Sequence, residues 1–131
     1  MRACNMMLSL RGRVCSGVGR GASFLRMGWV REQFVEKFGF EPYPGTLNLN
    51  VSREETRLLG EFRGIEITPK EGFRSGRCFR AVVMGKIPGV VVKPEVEGYP
   101  SNLLEIAAPI CLREELNLKD GDEVEVTILL E

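Results

Sequence analysis

Histidine is absent from all 131 residues. Without an imidazole the chain has no Ser-His-Asp or Cys-His nucleophile system, no histidine general acid or base, and no histidine-ligated zinc. Cysteine is sparse. Cys4, Cys15, Cys78 and Cys111 are scattered with no C-x-x-C pair, which argues against a four-cysteine zinc site. Their apolar neighbours, Val14, Phe79 and Leu112, suggest buried or half-buried thiols rather than a disulfide framework. Net charge is also missing, with 18 basic against 18 acidic residues. A protein that grips nucleic acid through its phosphates usually carries a clear basic excess, so no nucleic-acid partner is expected. Long apolar runs are lacking too. The longest, Ala81 to Val92, is interrupted by Gly85, Lys86, Pro88 and Gly89, so no membrane span is expected. The apolar run in Met1 to Leu8 is too short for a signal peptide, and a cytoplasmic location is the default. No linker, low-complexity stretch or repeat divides the sequence. One domain over residues 1–131 is expected, and a monomer.

What is present is unevenly placed. Residues 1–40 hold seven bases (Arg2, Arg11, Arg13, Arg20, Arg26, Arg31, Lys37) against two acids, Glu32 and Glu36. The early part is therefore where an anionic ligand would be sought. Leu8 to Val14 reads as a strand entering a glycine-rich loop. Met27, Val30, Phe34 and Phe38 recur at helical spacing, which predicts a helix over 28–38 with Gly39 as its stop. Thr46 to Val51 alternates polar and apolar, as a strand with one wet face does. Ser52-Arg53-Glu54-Glu55 has the capping-box pattern and opens a short helix to about Leu59. Strands are predicted near 64–68, 78–84 and 87–92, and a strand end with a helical turn over Pro109 to Leu116. After the turn Lys119-Asp120-Gly121-Asp122, a last strand runs from Glu123 to Leu130. Many short strands with two modest helices predict a mainly β fold, a barrel with inserted helices.

Four constellations carry possible chemistry. Ser16-Gly17-Val18-Gly19-Arg20-Gly21-Ala22-Ser23 places glycine at every second position, so its backbone can turn with positive φ and converge N–H groups on an anion. It is neither a Walker A loop nor a dinucleotide fingerprint, and a plain flexible turn explains it equally. In a strand, Thr46 and Asn48 share one face and offer two neutral oxygens to a hard cation such as Mg²⁺, provided phosphate oxygens and water complete the set. A solvated strand face explains the same pair. Glu105 stands inside the apolar run Leu103 to Ala108, where a carboxylate is costly unless paired or facing a ligand. Local geometry turning it to water is the alternative. Arg113, before the Asp120-Gly121-Asp122 turn, is either a ligand contact or half of a surface ion pair.

Three segments, taken together and in order, resemble the archaeal CTP-dependent riboflavin kinase family. They are Arg11 to Gly21, Gly39 to Leu49 (the run Gly-Phe-Glu-Pro-Tyr-Pro-Gly-Thr-Leu-Asn-Leu), and Leu104 to Pro109 continuing into Leu112-Arg113-Glu114. The middle segment is the most specific, because it joins a turn to a metal-bearing strand. Some members carry an additional N-terminal helix-turn-helix domain, which this sequence is expected not to include. The resemblance implies a six-stranded cradle-loop β-barrel that transfers the γ-phosphoryl group of CTP to the 5′-hydroxyl of riboflavin, giving FMN and CDP. It implies that Val18, Gly19, Arg20, Gly21, Ala22 and Ser23 wrap the nucleotide phosphates, and that Ile110, Cys111, Leu112 and Arg113 line the cytidine site. It also implies that Thr46 and Asn48 hold Mg²⁺ and that Glu105 contacts the flavin substrate as the catalytic residue. In the flavin-binding loop before Tyr99, where the family pattern has a threonine, this chain has Glu97. A carboxylate there repels a phosphate, so Ser101 or the backbone would have to make that contact. Two other classes fit the same residues: a non-catalytic barrel regulator binding DNA or a small ligand, and a flavin-binding protein without kinase activity.

Overall fold

The computed structural model describes residues 6–16, 20–72, 75–95 and 97–130. The fold grows from two kinds of strand. The last strand, β7 (Glu123–Leu130), buries every second residue (Val124, Val126, Ile128, Leu130) and leaves the alternate ones outward, as the sequence alternation predicts. By contrast, β5 (Ile87–Pro94) and β6 (Leu103–Ala107) carry runs of consecutive buried residues, apolar except for Glu105 in β6, because both of their faces are covered.

Seven antiparallel strands form one sheet. β1 (Met6–Val14) pairs with β2 (Leu47–Asn50) and β7, β2 with β6, β6 with β5, and β5 with β4 (Gly76–Val83). The pairing of Ala81–Val83 in β4 with Val126–Ile128 in β7 closes a six-stranded barrel. β3 (Ile65–Ile67) attaches to the other end of the same β4 edge. The mainly β barrel predicted from the strand pattern is therefore the observed one. Its interior is filled by Leu49, Phe79, Ala81, Val83, Val91, Leu104, Ile106, Val126 and Ile128. Each such large side chain contributes roughly 1.5–3 kcal/mol on burial.

A second apolar layer lies outside the barrel. Val90 and Val92 of β5, Cys78 of β4 and Ala107 of β6 meet Phe24 and Leu25 of α1 (Arg20–Leu25) and Val30 and Phe34 of α2 (Gly28–Phe38). α2 stops where expected: Gly39 takes φ 81° and its N–H bonds to the carbonyls of Phe34 and Val35. α3 (Arg53–Leu59) opens with the expected capping box, Ser52 and Glu55 bonding each other's backbone N–H. α4 (Leu112–Glu115) is a single turn. There are thus four short helices among the described residues rather than two.

One local expectation is corrected. The sequence suggests a loop through Ser23 for the glycine-rich segment, but Arg20 to Ser23 begin α1. Packing decides this, since Phe24 and Leu25 must reach the outer core layer and a helical turn delivers both. Cys15, Cys78 and Cys111 are free thiols, in line with the sequence reading, and Cys4 lies outside the described residues. Burial pushes the Cys78 thiol up to about 12. No helix among the described residues is long and apolar enough to cross a membrane.

Candidate active site

Strand alternation places Leu104 and Ile106 of β6 in the barrel interior, so Glu105 between them projects to the outer face, under α1. It is completely buried. A carboxylate in that position needs donors, and three segments supply them. The Gly21 N–H donates to Oε2 at 3.0 Å, the Tyr99 hydroxyl donates to Oε2 at 2.9 Å, and the Thr46 hydroxyl donates to Oε1 at 2.6 Å. Hydrogen bonds to a charged group contribute about 1.5–3 kcal/mol each. Among the described residues no buried side-chain oxygen or nitrogen lacks a partner.

Gly21 is there for space. A Cβ on it would lie 2.4 Å from Glu105 Oε1 and 2.9 Å from Oε2. Its φ is not positive, so the reason inferred from sequence, a left-handed turn, is replaced at this glycine by close approach of backbone to carboxylate. Burial pushes the Tyr99 phenol well above its usual range, and the Glu105 charge and the hydrogen bond to it push the same way. Tyr99 therefore stays protonated and remains a donor.

Thr46 and Asn48 also face Glu105. Asn48 stands directly opposite Glu105 in the β2–β6 ladder, and Thr46 lies two residues before it on the same side. Both are half-buried, so this strand face is only partly open to water. Thr46 Oγ1 lies 3.3 Å from Asn48 Oδ1. Because its single proton goes to the much closer Glu105, its lone pairs are left facing other groups. Cis oxygens around a six-coordinate Mg²⁺ stand about 3 Å apart, so this pair fits two positions of such an ion. Its neutral donors require anionic oxygens from a ligand to complete the set. No cluster of three or more acidic or thiol ligands occurs among the described residues.

Beyond Thr46 opens a pocket whose walls include Tyr43, Ile110, Cys111, Leu112 and Arg113. The residues expected at the cytidine site therefore adjoin Thr46, the first of the pair expected to hold a metal. Arg113 also forms an ion pair with Asp120 at 3.0 Å, half-exposed, which is the surface-pair reading of this residue. Cys15 ties the entry of the glycine segment to the same region, its N–H bonding the Asn48 carbonyl at 2.9 Å. Burial and the Asp120 charge raise its thiol, Arg113 lowers it and Glu105 raises it.

The positions predicted from sequence thus fall into groups. Gly21, Thr46, Asn48 and Glu105 form one hydrogen-bonded cluster, and Ile110 to Arg113 border it. Ala22 is half-buried and Ser23 exposed at the start of α1. Val18, Gly19 and the Arg20 side chain lie outside the described residues. Glu97 sits in an exposed turn with Gly98 at φ 81°, and Tyr99, two residues on, is the part of this loop that reaches the carboxylate. Tyr99 was not singled out from sequence. The available signal was a phenol close to a carboxylate embedded in an apolar run.

Comparison with known proteins identifies the family. Residues 14–128 match the family denoted CTP-dependent riboflavin kinase and described as Domain of unknown function DUF120. The chain is 43% identical over 130 residues to a riboflavin kinase of Archaeoglobus fulgidus, covering 94% of this chain and 55% of that protein. It is 42% identical over 133 residues to a riboflavin kinase of Pyrobaculum aerophilum, covering 94% and 61%. Against a riboflavin kinase of Methanosarcina barkeri the identity is 41% over 129 residues, covering 93% and 57%. The chain therefore spans little more than half the length of these relatives.

Proposed function

Because the chain belongs to the CTP-dependent riboflavin kinase family, we propose that its barrel transfers the γ-phosphoryl group of CTP to the 5′-hydroxyl of riboflavin, giving FMN and CDP. The observation that carries this reading is the buried carboxylate of Glu105, linked at once to the glycine segment, the Thr46/Asn48 strand and the Tyr99 loop. Phosphoryl transfer needs alignment and charge neutralisation more than covalent help, so a chain without histidine can perform it.

A carboxylate has about four lone-pair sites, and the structure uses three. Oε2 is held by Gly21 and Tyr99, which fixes the plane of the group. Oε1 holds Thr46 and keeps one lone pair for the riboflavin hydroxyl, next to the Thr46/Asn48 oxygens. The hydroxyl oxygen attacks the γ-phosphorus, the bond to the β–γ bridging oxygen breaks, and CDP departs with that electron pair. Glu105 accepts the hydroxyl proton late and releases it to solvent. Thr46 and Asn48 would hold Mg²⁺, which supplies charge neutralisation on the phosphate oxygens. The N–H groups of the 18–23 segment other than that of Gly21, together with Arg113, would orient the phosphates and the nucleotide. Since Gly21 covers Oε1 and Glu105 is fully buried, α1 has to shift to admit the acceptor.

The test is to mix the protein with CTP, MgCl₂ and riboflavin and separate the products by chromatography. FMN and CDP in equal amounts, with little FMN when ATP replaces CTP, is the expected result. Riboflavin binding with no FMN formed would instead leave a flavin-binding protein without kinase activity. FMN formed equally from either nucleotide would remove the CTP assignment.

A further inference from the structure

A second cavity, of about 210 Å³, opens on the opposite face of the sheet from Glu105. Its position follows from alternation along β5. Val92 lies opposite Glu105 in the β5–β6 ladder and faces outward, and Val91 fills the barrel. Lys93, the next residue on the Val91 side, points into the end of the barrel beneath α3. There Leu59, Phe62 and Phe79 supply an apolar floor.

Lys93 stands directly opposite Arg77 in the β4–β5 ladder. Like charges in directly opposed positions destabilise a sheet. Among the described residues only one of the two is neutralised. Arg77 Nε bonds Glu95 Oε2 at 2.9 Å, and Glu95 is held in turn by the Ser75 hydroxyl. Lys93 has no carboxylate partner among the described residues. Burial, and then the Arg77 charge, lower its ammonium below the usual lysine range.

We propose that this cavity is a second binding site, for a small oxyanion, phosphate or carboxylate, carried on a flat apolar body. Lys93 takes the oxyanion, since Arg77 is already paired with Glu95, whose carboxylate also lines the cavity, and the apolar body lies on Phe62 and Phe79. The volume suits a single benzene-sized ring. The site is separate from the phosphate-handling cluster, which lies across the sheet, and it does not depend on the kinase reading.

The experiment is a titration of the full chain, labelled with ¹⁵N, with phenyl phosphate, benzoate and inorganic phosphate, without nucleotide. The expected result is saturable binding of phenyl phosphate or benzoate, tighter than inorganic phosphate, with amide shifts centred on Gly60, Phe79 and Lys93. Whichever of the two aromatic probes binds more tightly identifies the oxyanion. Lys93→Met, and Lys93→Gln as a second variant, are expected to weaken binding roughly tenfold or more through loss of a charge-assisted hydrogen bond. Absence of saturable binding by either aromatic probe would overturn the site. So would unchanged affinity in a folded Lys93 variant, or shifts confined to residues 20–23 and 46–48. Because binding is read directly, the outcome is the same whether or not the protein makes FMN.

Discussion

The two faces of the β4–β5–β6 sheet each hold a charge that burial penalises, and they differ in how it is compensated. On the outer face, Glu105 is fully buried and receives three hydrogen bonds from three separate segments. On the inner face, at the barrel's end, Lys93 is only partly buried, faces a second cation and has no acidic partner among the described residues. Two of the Glu105 donors, Thr46 and Tyr99, can hold the carboxylate in place while the third, the Gly21 N–H, moves with α1 when the acceptor enters. Incomplete compensation marks the other face as one that a ligand would complete. Burial alone does not distinguish a compensated charge from an uncompensated one; the count of partners does.

The largest effect expected is on the outer face. Glu105→Gln keeps the volume but weakens the acceptor, and turnover to FMN should fall between roughly 100-fold and 10,000-fold. A variant with the wild-type kcat would reduce Glu105 to a binding residue. Thr46→Ala and Asn48→Ala should each cost roughly 100-fold in Mg²⁺-dependent turnover. Thr46→Ala should in addition lower stability by about 1–3 kcal/mol, because Glu105 Oε1 loses its donor. Urea denaturation of the two variants separates these effects, and equal stability losses would break the distinction between Thr46 and Asn48.

Gly21→Ala comes next. In an open helix this change would be favourable, but here the added Cβ meets the carboxylate at 2.4 Å, and a loss of about 1–3 kcal/mol is expected. A stabilised variant would mean that α1 does not lie against Glu105. Lys93→Met should have the smallest effect, and with the opposite sign. Removing one of two opposed cations is expected to leave stability unchanged or raise it by roughly 0.2–1 kcal/mol.

Alkaline pH sharpens the contrast within the outer layer. The Cys78 thiol is raised in the folded state, so the unfolded chain loses its proton first. Its stabilising contribution is complete below 9.0 and declines as pH rises towards about 12. The Tyr99 phenol, also raised, acts with the same sign above its ordinary value of 10.0. Lys93, lowered, acts with the opposite sign below 10.5. Cys78→Ala is therefore expected to flatten the fall in urea midpoint above pH 9.0, and an unchanged slope would contradict the burial argument.

Much of the frame was legible in the sequence because it is written in local patterns. The alternation in Glu123 to Leu130, the box at Ser52 and the stop at Gly39 each act within a few residues. α1 was not legible, since a glycine-rich composition suggests a loop and only contacts of Phe24 and Leu25 with distant strands make it a helix. The direction of Glu105 stayed open for a related reason. All of β6 is buried, so its sequence gives no inside-to-outside alternation. Resemblance named Gly21, Thr46, Asn48 and Glu105, but not the third donor, because Tyr99 reaches the carboxylate from an irregular loop. The opposition of Lys93 and Arg77 depends on cross-strand register, which no short window of sequence contains.

The central claim, that the Glu105 cluster is where phosphoryl transfer occurs, is tested most directly by single-turnover FMN formation. Wild-type protein and Glu105→Gln are compared at saturating CTP, Mg²⁺ and riboflavin, with CTP binding measured alongside. The account predicts rapid FMN formation by the wild type, and a rate at least about 100-fold slower in a variant that still binds CTP. Equal rates in the two proteins, or no FMN from the wild type, would contradict it.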